Sequence, residues 1–171
     1  ELTAFETVFI GGGTPTLLEA APLEAMLALV RDVAAPAAEI TIECNPETVD
    51  EALAQRLVAG GVNRVSLGAQ SFDPLVLSTL ERRASLEVVR AAVATLRAAG
   101  VPRLSLDLIW GVPGQTLESV AADLDAALAL EPDHLSAYEL EFKPGTRLTH
   151  AHGVDAAATL IGETGDDITQ N

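Results

Sequence analysis

Short apolar runs alternate with amphipathic segments from residue 7 to about residue 140. The runs Thr7–Ile10, Glu39–Glu43, Arg64–Gly68, Leu104–Ile109 and His134–Leu140 predict strands. Between them the spacing turns helical. Leu23, Met26, Leu27, Val30 and Val33 share one helical face. The next helix is predicted to open on a capping box, Thr48-x-x-Glu51, and to stop at Gly60-Gly61. A third runs from an N-cap at Ser85 to Gly100, with Leu86, Val89, Val93 and Leu96 as its stripe. A fourth starts near Thr116, with Leu117, Val120, Leu124 and Leu128 on its apolar side, and ends at Glu131-Pro132.

Strands separated by single helices must run parallel, because the chain crosses back over the sheet each time. Units repeating every ~30 residues predict an α/β fold, either an open doubly wound sheet or part of a barrel. Both architectures put ligands at the carboxyl ends of the strands. The polar and glycine-rich residues lie there: Gly11-Gly12-Gly13-Thr14-Pro15, Glu43-Cys44-Asn45-Pro46, Gly68-Ala69-Gln70-Ser71-Phe72, Asp107 with Gly111-Val112-Pro113-Gly114, and Tyr138-Glu139-Leu140-Glu141. The opposite ends carry only short turns such as Gly60-Gly61-Val62-Asn63. This asymmetry favours a ligand pocket over a plain scaffold.

Composition narrows the reading only a little. Hydrophobic residues make up 49% of the 171, a globular content, and few of them are aromatic, so Leu, Ala and Val carry the core. A net charge of -15 argues against a nucleic-acid partner, which needs clustered Lys and Arg. No apolar run approaches the ~20 residues of a membrane span. Cys44 is the one cysteine, so there is no internal disulfide, which points to a reducing, cytoplasmic setting. The chain opens almost directly into a strand, and the expectation is a piece of a longer protein. Residues 1–150 are expected to form the core, and 151–171 a truncated or poorly ordered tail.

Several side chains at the strand ends carry candidate chemistry. Consecutive glycines at 11–13 would each lose about 1 kcal/mol inside a helix or strand, and they suit a sharp turn or backbone lying against a ligand. Glu43 can accept hydrogen bonds from vicinal hydroxyls, or it can be a surface acid. Gln70 offers both donor and acceptor to a ligand, or to the loop backbone. Arg82 and Arg83 can clamp a carboxylate, or can be a solvated pair. Asp107 sits in an apolar parallel strand, where a carboxylate is unfavourable unless paired, so it is read as functional, with structural pairing as the alternative. Cys44 reads as a small buried residue, and His150-x-His152 lacks the neighbours for a metal site. Neither a phosphate loop nor a Gly-x-Gly-x-x-Gly motif is present, and no Ser–His–Asp arrangement is visible.

Taken together, Phe9-Ile10-Gly11-Gly12-Gly13-Thr14-Pro15, Glu43-x-Asn45-Pro46, Asn63-Arg64-Val65-Ser66-Leu67-Gly68-Ala69-Gln70-Ser71-Phe72, Leu106-Asp107-Leu108-Ile109-Trp110-Gly111-Val112-Pro113-Gly114-Gln115-Thr116 and Pro132-Asp133-His134-Leu135-Ser136 resemble the radical S-adenosylmethionine enzymes of the oxygen-independent coproporphyrinogen III oxidase group. The resemblance covers residues 5 to about 150. Tyr138-Glu139-Leu140 followed by Lys143-Pro144-Gly145-Thr146 is closer to the heme chaperone branch. The resemblance implies a partial (β/α)6 barrel of the radical S-adenosylmethionine type, with the ligand across the strand ends and an N-terminal strand missing from this chain. It implies that Gly12, Gly13 and Thr14 cradle the methionine moiety, that Glu43, Gln70 and Asp107 make polar contacts to S-adenosylmethionine, and that Arg82 lies near its carboxylate. Glu141 matches a backbone contact.

The resemblance also implies a 4Fe–4S cluster held by Cys-x3-Cys-x2-Cys, which this chain does not contain. The ligands are expected upstream, so the chain as given is expected to be inactive alone and to bind S-adenosylmethionine weakly. Ala84 stands where the family commonly has His. The implied parent is a radical oxidoreductase of heme biosynthesis acting on a porphyrinogen, or else a chaperone that binds heme and passes it to acceptor proteins. An unrelated barrel enzyme is the third reading.

Overall fold

Each apolar run becomes a strand, and each strand pairs in parallel with its successor. The computed structural model describes residues 4–141. Strands β1 (Phe5–Ile10), β2 (Ala34–Cys44), β3 (Arg64–Gln70), β4 (Arg103–Trp110) and β5 (His134–Glu139) form one sheet in chain order. Helices α1 (Ala20–Val33), α2 (Glu51–Ala59), α3 (Pro74–Thr79), α4 (Leu86–Ala99) and α5 (Leu117–Leu128) occupy the crossovers. Two 3-10 turns, Pro15–Leu17 and Pro46–Thr48, follow β1 and β2. The result is a curled half-barrel of parallel strands and helices, as expected. His150, His152, the Lys143-Pro144-Gly145-Thr146 motif and the tail at 151–171 lie outside the described residues.

Strand alternation gives the sheet two unlike faces. Ile42, Val65, Leu67, Leu104 and Leu106 are fully buried and pack in one core with Leu23 and Leu27 of α1, Leu57 of α2, and Val89 and Leu96 of α4. Full burial of each such side chain contributes roughly 1.5–3 kcal/mol. The other face carries Glu39, Thr41 and Glu43 on β2, Arg64 and Ser66 on β3, and Ser105 and Asp107 on β4. Register brings Glu43 beside Ser66, Ser66 beside Ser105, and Asp107 beside Ser136. A polar inner wall therefore lines the curl. At its amino-terminal end Glu39 bridges Arg103 at 2.9 Å and Arg64 at 3.9 Å.

Four local expectations are corrected. The capping box at Thr48 does not form: Asp50 caps α2, accepting from the Leu53 N–H at 2.7 Å, while the Thr48 hydroxyl donates to the Asn45 carbonyl inside the preceding turn. Ser85 stands at the N-cap of α4 as expected, with its hydroxyl donating to Glu87 and accepting from no backbone N–H of the helix. Val33 is exposed at the last turn of α1. Helix α5 is rotated from its predicted face. Leu117, Leu124 and Leu128 are exposed, and Asp123 and Ala127 are the buried positions. Strand β2 also begins earlier than its apolar run, at Ala34. Its extra residues include Pro36, which lies where the ladder with β1 is irregular and a missing N–H is tolerated.

Candidate functional site

A cavity of about 250 Å³ opens at the carboxyl ends of the strands. Of the residues nominated from the sequence, Gly12, Thr14, Glu43, Gln70, Arg82 and Asp107 all line it. Gly13 lies on the same loop but not in the wall. A larger depression of about 470 Å³ lies between α1 and α2. Its charged groups Glu24 and Arg56 are engaged with each other at 2.9 Å, and it brings together no strand-end residue.

The first wall is the loop after β1. Gly12 has φ +114, a conformation that side-chain-bearing residues rarely adopt, and its N–H donates to Glu43 Oε2 at 3.0 Å. Glu43 therefore ties two strand ends together and remains half-buried at the cavity. Beyond it Asn45 turns the chain into the 3-10 segment by accepting from the Glu47 N–H at 3.3 Å.

Asp107 forms the floor. Ser66 Oγ donates toward both of its carboxylate oxygens, 2.8 Å from each, and Ser105 Oγ lies 3.5 Å from one of them. Burial pushes the Asp107 carboxyl above its ordinary range, and the hydrogen bonds from Ser66 and Ser136, the charge of Arg64 and the Ser105 hydroxyl act the other way. The carboxylate is paired, by serines and not by a guanidinium contact, and it also faces the cavity.

Gln70 ends β3 with φ +68, outside the range of an ordinary strand residue. Its side chain folds back over Gly68, where an added Cβ would stand 2.6 Å from Gln70 Nε2. Glycine at 68 thus leaves room for the Gln70 amide, which any added side chain would displace. Arg82 reaches the cavity after the short helix α3, and among the described residues no carboxylate lies within ion-pair distance of it. Its guanidinium is available to an anionic group of a ligand.

Cys44 contributes to the wall, but its thiol is buried and its pKa is pushed up to about 12 by that burial, with a hydrogen bond to Thr16 pulling slightly downward. It is a packed, protonated thiol, as expected, and not a nucleophile. Ala84 is buried in the main core. No group of three or more His, Cys, Asp or Glu suited to a metal ion occurs among the described residues. These residues do not fit a 4Fe–4S cluster. The arrangement can bind a polar ligand through two carboxylates, an amide, a guanidinium and glycine backbone, and it presents no activated nucleophile.

Several lining residues were not nominated from the sequence. Ser66, Ile109 and Tyr138 line the cavity, with Ile109 and Tyr138 paired in register. Period-two alternation outward from Asp107 would have found them, since Ser66, Asp107 and Tyr138 share the inner face. Asp123, which fixes the loop after β3, carried no signal at all, because the leucines of α5 predicted a different buried face.

The described geometry has known counterparts. The model of the "Radical SAM superfamily" matches residues 2–127. A heme chaperone, HemW, of Mycobacterium tuberculosis is 43% identical over 144 residues, covering 83% of this chain and 37% of the relative. An oxygen-independent coproporphyrinogen III oxidase of Bradyrhizobium diazoefficiens is 38% identical over 135 residues, covering 78% of this chain and 30% of the relative. Among solved structures, the coproporphyrinogen III oxidase HemN of Escherichia coli, described as a radical SAM enzyme, superposes with TM-score 0.76 at 30% identity, over 93% of this chain and 39% of that one. The chain thus spans less than two fifths of the length of each of these relatives.

Proposed function

The chain belongs to the radical S-adenosylmethionine superfamily, and from that premise we propose that its strand-end cavity binds S-adenosylmethionine in a protein of heme metabolism. The observation that carries the proposal is the convergence of Gly12, Thr14, Glu43, Gln70, Arg82 and Asp107 on one cavity. Their chemistry suits the ligand. Arg82, without a carboxylate partner among the described residues, receives the ligand carboxylate. Backbone of Gly12 and the Thr14 hydroxyl hold the methionine amine and carboxylate, with Gly13 shaping the loop between them. Glu43, Gln70 and Asp107 meet the sulfonium side and the ribose hydroxyls. Ile109 and the Tyr138 ring supply the less polar side of the cavity.

Bound S-adenosylmethionine supplies a sulfonium–carbon bond that can be cleaved reductively. The chain's own residues orient that bond and shield it, and Asp107 keeps its carboxylate fixed through Ser66. The described residues offer no group of ligands for a 4Fe–4S cluster. In the whole protein we place the cluster on cysteines outside them.

For the whole protein the leading reading is an oxidoreductase acting on a porphyrinogen, in the manner of an oxygen-independent coproporphyrinogen III oxidase. The second reading is a heme chaperone that delivers heme to acceptor proteins, favoured by the 43% identity to HemW. The cytoplasm is the compartment we propose, on the free, buried thiol of Cys44.

The deciding experiment uses the complete protein, purified without oxygen. Calorimetry measures S-adenosylmethionine binding, and absorbance spectroscopy measures heme binding. Conversion of coproporphyrinogen III with carbon dioxide release establishes the oxidase. Heme binding with transfer to an apo-protein, and no decarboxylation, establishes the chaperone. Absence of S-adenosylmethionine binding removes the oxidase and the reading of the cavity.

A further inference from the structure

Helix α5 buries an acid while leucines of its expected apolar side face outward. Asp123 is 5% exposed, while Leu117 on the same helix is 77% exposed. Such an inversion of the local pattern needs a compensating gain. The gain lies in the loop that follows β3. Asp123 Oδ2 accepts from Ser71 Oγ at 2.6 Å, and Oδ1 accepts from the Phe72 N–H at 2.7 Å. Ser71 is completely buried, and its hydroxyl also accepts from the Asp73 N–H at 3.0 Å. The Ser71 N–H donates to the Ala69 carbonyl at 2.9 Å, which closes a tight turn around Gln70. Gln70, inside that turn, holds φ +68 and lays its amide over Gly68 at the cavity.

We propose that Asp123 is a positioning residue for the strand-end site: it clamps Ser71 and Phe72 from the helix of another crossover, and so holds Gln70 in its left-handed conformation with its amide facing the ligand. The proposal rests on the reading of the cavity as the S-adenosylmethionine site. A left-handed glutamine relaxes toward extended backbone when nothing holds its neighbours, and that relaxation swings the amide away from Gly68. The carboxylate is suited to the task because both donors it meets are aimed at separate oxygens. Leaving buried donors unmatched is strongly unfavourable, so the clamp has one stable closed state. Asp73 continues the device by capping α3, accepting from the Leu75 N–H at 2.8 Å, and α3 leads on to Arg82.

The test measures S-adenosylmethionine affinity by calorimetry, and amide hydrogen exchange across 69–73, in the complete protein. Asp123→Ala is expected to speed exchange at Phe72 and to weaken binding by about tenfold. Asp123→Asn keeps an acceptor for the Phe72 N–H and can donate to Ser71 Oγ, so it is expected to recover most of the affinity. In a Gln70→Ala background, Asp123→Ala is expected to change affinity by less than about twofold, because the residue acts through Gln70. Additive losses in that double variant overturn the positioning role and leave a purely structural contact. If Asp123→Ala does not fold, Asp123→Asn decides by exchange: protection at Phe72 at the wild-type level together with loss of affinity overturns the clamp. Wild-type protein without measurable affinity overturns the reading of the cavity instead, and unchanged exchange in both variants overturns the clamp independently of it.

Discussion

Ser66 Oγ stands 2.8 Å from each carboxylate oxygen of Asp107, so one hydroxyl serves both atoms of an acid set into the middle of the sheet. A single hydroxyl proton does not fully offset the burial, and the Asp107 carboxyl stays above its ordinary range. A carboxyl raised in the folded state contributes stability that is complete below its unfolded pKa and is lost as pH rises through the folded one. Asp107→Asn, which carries no charge, should therefore melt above the wild type near neutral pH. The gap should close on acidification toward about pH 4. Thermal melts across that range check it, with roughly 2–4 °C expected for each kcal/mol relieved. A gap that widens in acid reverses the sign and refutes the burial argument.

Asp107→Ala should weaken S-adenosylmethionine binding in the complete protein by about tenfold, since it removes an acceptor from the cavity floor. Calorimetry reads it directly. An unchanged affinity would return Asp107 to a structural role within the serine cluster.

Arg82→Gln should separate ligands by their carboxylate. Affinity for S-adenosylmethionine should fall by about tenfold or more, whereas 5′-methylthioadenosine, which lacks the carboxylate, should bind as before. Equal losses for both compounds would mean that Arg82 shapes the cavity without meeting that group.

Gly68→Ala places a methyl group 2.6 Å from Gln70 Nε2. The atom it meets is the end of a flexible side chain, so the fold yields cheaply there. We expect a melting temperature within about 4 °C of wild type, with a clear loss of affinity. A large loss of stability with affinity retained would contradict the assignment of Gln70 to the ligand side.

Cys44 should resist alkylation by iodoacetamide in the native protein at about pH 8 and react once urea unfolds the chain, because burial holds its pKa at about 12 and hides the sulfur. Mass spectrometry of the labelled peptide reads the outcome. Rapid native labelling would mean that the wall at Cys44 opens.

The strands were legible because their outer faces are nearly continuous Val, Ile and Leu, as in Arg64–Gln70 and Arg103–Trp110. The site was legible because the longer glycine-rich and polar loops follow the carboxyl ends of those strands, whereas their amino-terminal ends carry short turns. What escaped reading depended on partners distant in sequence. Asp123 is buried because Ser71 and Phe72 donate to it, and nothing near it in the chain announces them. The α5 leucines kept helical spacing while facing outward, so periodicity named the wrong side. Thr48 had the spacing of a cap, but the turn begun by Asn45-Pro46 had already engaged its hydroxyl.

Among the described residues the sheet order follows the chain order, with no strand inserted between earlier ones. During synthesis, each new strand therefore meets a partner that has already left the ribosome, and no early strand waits for a late one to pair beside it. Growth by addition at one edge keeps the loop closures short, which favours folding alongside translation. Among the described strands the cavity closes only after β4 and β5 have joined, because they supply its floor at Asp107 and its wall at Tyr138.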